Sequence, residues 1–280
     1  NLLQSEIQTL RAFSVFIVFL YHTNIEFFSN GYLGVDIFFL ISGYVITKRI
    51  FDSFSSSNKV DLGKFYVKRI KRIIPNLFFI ICTTYITFQI FGPPNLSLFN
   101  ETIYSLLGLS NLYYINHSRD YFNNIFEDPL GHTWSLGVEE QFYLIFPIII
   151  YVCFKFKNNK LNILIAILAI ISILSLLFFC INYNSNSLFS FYFSPFRFWE
   201  FLIGSFFFIF QKNIRFNKFI FILCIFFVLY ITLIKENYFF DYTKNIAVLI
   251  FVGYIISSYK KNIIFENNFI IYIGNISYSF

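Results

Sequence analysis

Arg11 and His22 lie in LRAFSVFIVFLYHTNIEFF (10–28) with only apolar residues, one Ser and one Tyr between them. At ~100° per residue, eleven positions return a helix to nearly the same face while it rises roughly 16 Å. A cation and an imidazole thus share one face of an apolar helix, at two depths about half a bilayer apart. Ionisable groups at such depth are costly and face a bundle interior, a water-filled cavity or a substrate path. An imidazole gains and loses a proton near neutrality. The chemistry open to this pair is therefore proton transfer near a fixed positive charge.

Three further stretches carry groups of the same kind. GYLGVDIFFLISGY (31–44) places Asp36 near the start of a second apolar segment, either as an interfacial helix cap or as a site carboxylate. HTWSLGVEEQFYLIFP (132–147) sets His132, Trp134 and Ser135 at a membrane boundary and carries Glu139 and Glu140 into a span. Adjacent helical residues point ~100° apart, so at most one of the two acids faces a cavity fully, and the sequence does not choose between them. Aromatic-belt residues with snorkelling carboxylates are the plain alternative. In FRFWEFLIGS (196–205), Arg197 and Glu200 are three apart and can pair on a helix, as a structural ion pair or as substrate contacts.

GKFYVKRIKRIIP (63–75) is amphipathic, with Lys64, Lys68, Lys71 and Arg72 on one side and Val67, Ile70 and Ile74 on the other. It reads either as a helix lying on anionic lipid or, through Arg69 and Arg72, as a grip on the phosphates of a cytoplasmic ligand. His117 falls in a polar loop and reads as solvated. The four cysteines lie in apolar segments without metal-ligand spacing, so no metal site is expected. The sequons at Asn95, Asn100 and Asn116 are expected by chance in so Asn-rich a chain.

The elements that must hold these groups are membrane helices. Of 280 residues, 57% are hydrophobic and only 13% charged, against about 25% charged in a soluble domain. Windows of near-spanning length fall at about 10–28, 32–51, 75–92, 136–154, 161–181, 193–210, 216–234 and 245–258, and another begins near 267. The segment 98–115 is broken by Asn100, Glu101 and Asn111 and reads as an outer-face or partly re-entrant helix. The expected fold is an all-α bundle of about nine to ten transmembrane helices forming one domain over 1–280. The net charge of +6 is the cytoplasmic-loop signal of a membrane protein, not a nucleic-acid footprint. Lys and Arg concentrate in 48–72, at Lys155, Lys157 and Lys160, at Lys212, Arg215 and Lys218, and at Lys260 and Lys261, while intervening connections are acidic, uncharged or balanced. One parity satisfies every loop and puts the N-terminus inside. Arg11 then lies toward the cytoplasm and His22 toward the outer half. No n-region, short h-region and cleavage site resembling a signal peptide is seen, so the first apolar segment is expected to be a span. The chain lacks Met, starts with Asn and stops inside an apolar segment, so both termini are expected to continue.

Taken together, the Arg-x10-His pair, GYLGVDIFFLISGY, FYVKRIKRIIP with its Arg-x-x-Arg, HTWSLGVEEQFY, FRFWE…G and the terminal GNISYS resemble acyltransferase family 3, in family order over nearly the whole chain. The resemblance implies a multi-pass membrane O-acyltransferase of surface polysaccharide, in a bacterial plasma membrane. Its donor would be cytoplasmic acyl-CoA, in the first instance acetyl-CoA, used as a substrate with no bound cofactor. Its acceptor would be a hydroxyl of an extracytoplasmic carbohydrate. Acyl transfer needs a base, a donor with a good leaving group and oxyanion stabilisation. On this reading His22 is the general base, with Glu139 first and Asp36 second as carboxylates that orient it and stabilise its imidazolium. Arg11 contacts the donor, Arg69 and Arg72 hold its nucleotide end, and Trp134 and Ser135 stand at the acceptor mouth, with Glu140, Arg197 and Glu200 as further substrate contacts. Here Gln8-Thr9 precede Leu10-Arg11 where the family often has Asp-Gly. The family also continues past ISYS into a His-bearing stretch and a further span.

The competing class is a transporter or translocase of a sugar or lipid intermediate, in which Arg, His, Asp and Glu form a proton relay. A purely structural scaffold leaves the buried charges unexplained.

Overall fold

In a computed structural model, the structure describes residues 2–23, 25–57, 61–92, 97–118, 129–156, 159–183, 187–233, 241–258 and 268–276. Among them the chain forms twelve α-helices: α1 Leu2–His22, α2 Leu33–Ser57, α3 Leu62–Phe91, α4 Leu98–Leu106, α5 Ser110–Asn116, α6 Thr133–Lys155, α7 Lys160–Tyr183, α8 Ser187–Tyr192, α9 Ser194–Phe210, α10 Lys218–Leu233, α11 Asp241–Ser258 and α12 Asn268–Ile276. Lys59, the 119–128 stretch, Lys157, Lys260, Lys261, the sequon residue Asn95 and the end of GNISYS lie outside the described residues.

The all-α expectation holds for every described element. Three helices, Leu62–Phe91, Thr133–Lys155 and Lys160–Tyr183, are long and apolar enough to cross a membrane, and Ile7–His22, Lys218–Leu233 and Tyr242–Ser258 are apolar but shorter. Length and composition therefore do not establish the expected nine to ten spans. The 98–115 window divides into α4 and α5 at Gly108, whose φ of +67° a helix interior cannot hold. At 9 and 7 residues neither piece can span.

The amphipathic stretch 63–75 and the apolar window 75–92 form one continuous helix, α3, with Pro75 inside it. Asp61 starts α3 by accepting a hydrogen bond from the Lys64 backbone N–H at 2.9 Å. Gly92 ends it ahead of two prolines, whose predecessors avoid the helical region. The helix packs on the protein through a side other than the apolar face of 63–75. Val67, Ile70 and Ile74 are about half exposed, whereas Ile73, Leu77 and Ile81 are buried. That stripe, extended back by four residues, begins at Arg69. In a membrane helix the apolar side can face lipid while the charge-bearing side turns to the bundle.

The chain divides into two compact units, 1–49 with 200–278 and 50–199, and the divisions fall within α2 and α9. In the first, α12 lies along α1, α10 pairs with α11, and α2 crosses α9. That crossing is backbone against backbone: a Cβ on Gly43 would strike the Phe201 carbonyl, and one on Gly204 the Leu40 carbonyl. Thr47 Oγ1 donates to Ser205 Oγ across it at 2.9 Å, and Phe39 stacks on Phe201.

In the second unit, α3 and α6 pack antiparallel in a readable register. The Tyr66 hydroxyl donates to the Leu144 carbonyl at 2.8 Å, Arg69 meets Glu139, and Leu136 packs on the cluster of Ile73, Leu77, Ile81, Leu98 and Leu130. The basic first turns of α3 thus stand beside the middle of α6, not beside its Lys155 end.

Candidate functional site

In the first unit, His22 closes α1. Its Nδ1 lies 2.7 Å from the Val18 carbonyl oxygen one turn back. A carbonyl only accepts, so Nδ1 carries the proton and the neutral ring has its basic lone pair on Nε2. Arg11, on the same helix, is buried at 1% exposure with its guanidinium 5.3 Å from the Phe38 ring centroid. Asp36, in the first turn of α2, is equally buried, and its Oδ2 accepts a hydrogen bond from Asn245 Nδ2 of α11 at 2.7 Å. Asp36 is therefore held from another helix rather than simply capping its own. Asn245 and its buried neighbour Lys244 were not singled out from the sequence; an Asn and a Lys opening an apolar window were its only signal. Glu200 is fully buried.

In the second unit, Arg69 and Glu139 form an ion pair, with Nη2 to Oε1 at 3.4 Å and side chains 14% and 5% exposed. The Tyr143 hydroxyl, one turn along α6 from Glu139, donates to the same Oε1. The Arg69 guanidinium carbon sits 3.0 Å from the centroid of the Tyr143 ring. Arg72, three residues from Arg69, is exposed. Of the two adjacent acids, Glu139 is the buried one that meets Arg69. Glu140 points elsewhere, its Oε2 lying where a Cβ on Gly108 would be.

The Trp134 ring, expected at an acceptor mouth, is 1% exposed and packs against Phe191 and Tyr192. Arg197 is buried within 6.0 Å of the ring centroids of Trp134, Phe179 and Phe191. Beside it, the Ser175 hydroxyl donates to the Pro195 carbonyl at 2.6 Å and accepts from the Trp199 N–H at 3.1 Å. It thereby touches the acceptor and the donor of one i→i−4 step of α9. Ser135 stays nearer the surface, its hydroxyl 3.2 Å from the His132 carbonyl.

Two polar groupings were missed. Glu101, which broke the apolar pattern of 98–115, is fully buried and accepts from the Tyr114 hydroxyl. Asn111, Gln141 and Ser194 form a closed triangle: Gln141 Nε2 donates to Asn111 Oδ1 at 2.9 Å, Asn111 Nδ2 to Ser194 Oγ at 2.9 Å, and Ser194 Oγ to Gln141 Oε1 at 2.5 Å. It ties the first turns of α5 and α9 to α6.

Helices of spanning length with buried Arg, Glu and Asp define, among the described residues, an all-helical protein of membrane character with buried ionisable groups. The profile of the acyltransferase domain family matches residues 4–280, and the chain belongs to that family, acyltransferase family 3. Among curated relatives, the O-acetyltransferase OatA of Staphylococcus aureus (strain NCTC 8325 / PS 47) is 41% identical over 155 residues, 54% of this chain and 26% of that protein. The peptidoglycan O-acetyltransferase OatA of Listeria monocytogenes is 38% identical over 164 residues, 58% of this chain and 26% of that protein. The matches thus span about a quarter of the length of these relatives. No solved structure matches the chain.

Proposed function

We propose that this protein is a bacterial plasma-membrane O-acetyltransferase that moves an acetyl group from cytoplasmic acetyl-CoA to a carbohydrate hydroxyl outside, in peptidoglycan as the first candidate. The observation that carries this reading is the family match over 4–280, which takes in both the Arg11–His22 pair and the Arg69–Glu139 pair. The names of the relatives supply the acetyl group and the peptidoglycan acceptor.

In this reading His22 Nε2 takes the proton from the acceptor hydroxyl, and the oxygen attacks the thioester carbonyl. The tetrahedral intermediate collapses with loss of the CoA thiolate, which is then protonated. Glu139 and Asp36 stabilise the imidazolium. Because the Val18 carbonyl already holds Nδ1, their contribution is electrostatic and orientation comes from α1 itself. Arg11 contacts the donor below His22, with the N-terminus inside. Arg69 and Arg72 hold the donor's phosphates, and the α3–α6 register supports a donor that reaches into the bundle instead of an acyl group that crosses it unaided. Glu140, Ser135 and Trp134, with Arg197 and Glu200, shape the acceptor side; Trp134 does so through the Arg197 it packs under.

Mass spectrometry of cell-wall glycans from cells with and without the gene tests the proposal. An acetyl mass on a sugar that vanishes with the gene supports it. Unchanged glycans, with pH-dependent uptake of a sugar or lipid intermediate, would replace it with the proton-relay carrier.

A further inference from the structure

We propose that Tyr143 is a positioning residue that makes Arg69 and Glu139 one exchange site for an anionic group of the donor; this rests on the acyl-CoA reading above. Tyr143 touches both partners with different atoms. Its ring lies under the Arg69 guanidinium, 3.0 Å from the guanidinium carbon to the ring centroid, and its hydroxyl donates to Glu139 Oε1. Tyr143 is itself 3% exposed, so ring and hydroxyl are fixed by the packing around them.

The ion pair it supports is not saturated. Nη2 to Oε1 is 3.4 Å, long beside the roughly 2.8 Å of a tight charge-assisted bond. Arg69 Nε is buried and has no hydrogen-bond partner among the described residues. A guanidinium held by an aromatic face, with one carboxylate at arm's length and a buried N–H unfilled, is prepared for a second oxyanion. A phosphate oxygen can take Nε and an Nη while the ring keeps the guanidinium in place. Glu139 then gives up Arg69 but keeps the Tyr143 hydroxyl, so its carboxylate is not stranded in a buried site. The occupied donor site thereby frees the negative charge of Glu139 for the reaction. The ring serves binding, and the hydroxyl serves the chemical step.

Three variants of the full-length protein separate these contributions. Coenzyme A affinity is read by thermal stabilisation of the purified protein, and kcat and donor KM by loss of label from radiolabelled acetyl-CoA in membranes with their attached cell wall. Tyr143→Phe keeps the ring, so coenzyme A affinity stays within about twofold while kcat falls about tenfold, as for loss of a hydrogen bond to a charged group. Tyr143→Leu removes the ring as well and weakens coenzyme A binding a further five- to tenfold or so. Glu139→Gln removes the competitor for Arg69 and tightens coenzyme A binding while kcat falls. A split of this kind supports the positioning role. If Phe and Leu variants lose thermal midpoint alike with coenzyme A affinity and kcat of the folded protein unchanged, Tyr143 is only a packing residue. If wild-type protein neither binds coenzyme A nor consumes acetyl-CoA, the acyltransferase reading falls and takes this inference with it.

Discussion

The base assignment predicts opposite fates for stability and activity at His22. A 2.7 Å hydrogen bond from Nδ1 to the Val18 carbonyl helps hold the ring, and the proposed chemistry uses the other nitrogen. His22→Asn places an amide N–H where Nδ1 was, so the bond to Val18 can be remade while the basic nitrogen is lost. His22→Ala loses both. A neutral hydrogen bond of this kind is worth about 1 kcal/mol, and less at a half-buried site. The Asn variant should therefore unfold within a degree or two of wild type, and the Ala variant slightly earlier. Loss of a general base costs roughly 10²- to 10⁴-fold in rate, or about 3–5 kcal/mol of barrier. Acetyl transfer from labelled acetyl-CoA, assayed in membranes at matched protein levels, should fall by at least about a hundredfold in both variants. Donor binding should stay intact, because the proposal places the donor's charged end at Arg69 and Arg72. An Asn variant retaining more than about a tenth of the wild-type rate would show that the proton goes elsewhere.

Three other expectations follow from buried partners. At 3.4 Å and an effective dielectric near 20, the Arg69–Glu139 attraction is about 5 kcal/mol before desolvation; Arg69→Ala, Glu139→Ala and the double variant should show a coupling of about 1–3 kcal/mol in unfolding, and additivity within about 0.5 kcal/mol would refute the pair. Asp36→Asn keeps an acceptor for Asn245 and should cost about 1 kcal/mol, whereas Asp36→Ala strands the buried amide and should cost up to about 3; both should slow transfer, and a fully active Asn variant would remove Asp36 from the imidazolium's stabilisation. Gly108→Ala should cost about 1–2 kcal/mol for its φ of +67°, plus the clash with Glu140 Oε2; adding Glu140→Ala should recover only the second part, and a neutral Gly108→Ala would contradict the backbone geometry.

Most helices were legible because apolar periodicity and length report burial in lipid directly. The windows at 136–154, 161–181, 193–210 and 216–234 lie within a few residues of α6, α7, α9 and α10. The joining of 63–75 to 75–92 was not, because Pro75 reads as a break. In a membrane protein a proline is tolerated where neighbouring groups or local adjustment re-satisfy the freed carbonyl. The inward face of α3 was not legible either. One reading of the pattern sets the apolar Val67, Ile70 and Ile74 against lipid, and nothing in it says which other side meets the protein. Beside lipid those residues have no reason to turn inward, and the side bearing Arg69 does. Family membership was legible because it rests on residue types in order, which need no geometry.

The partners of the buried charges could not be read, and the reason is general. A charge in an apolar span announces that it must be compensated, since an isolated one costs several kcal/mol. It says nothing about where the compensation comes from. Here the contacted groups described lie on other helices, and most of them are not opposite charges. Asp36 finds the amide of Asn245, Glu101 the Tyr114 hydroxyl, Arg197 three aromatic faces, and Arg69 both a carboxylate and a ring seventy or more residues on. Arg69 meets a full opposite charge, and that bond is long. A neutral dipole or a ring face holds an ion in place without cancelling its charge, so such a contact can yield to an incoming anion. A long ion pair backed by a ring, as at Arg69, is therefore the kind of arrangement that the proposed site, which must bind and release a charged donor, requires.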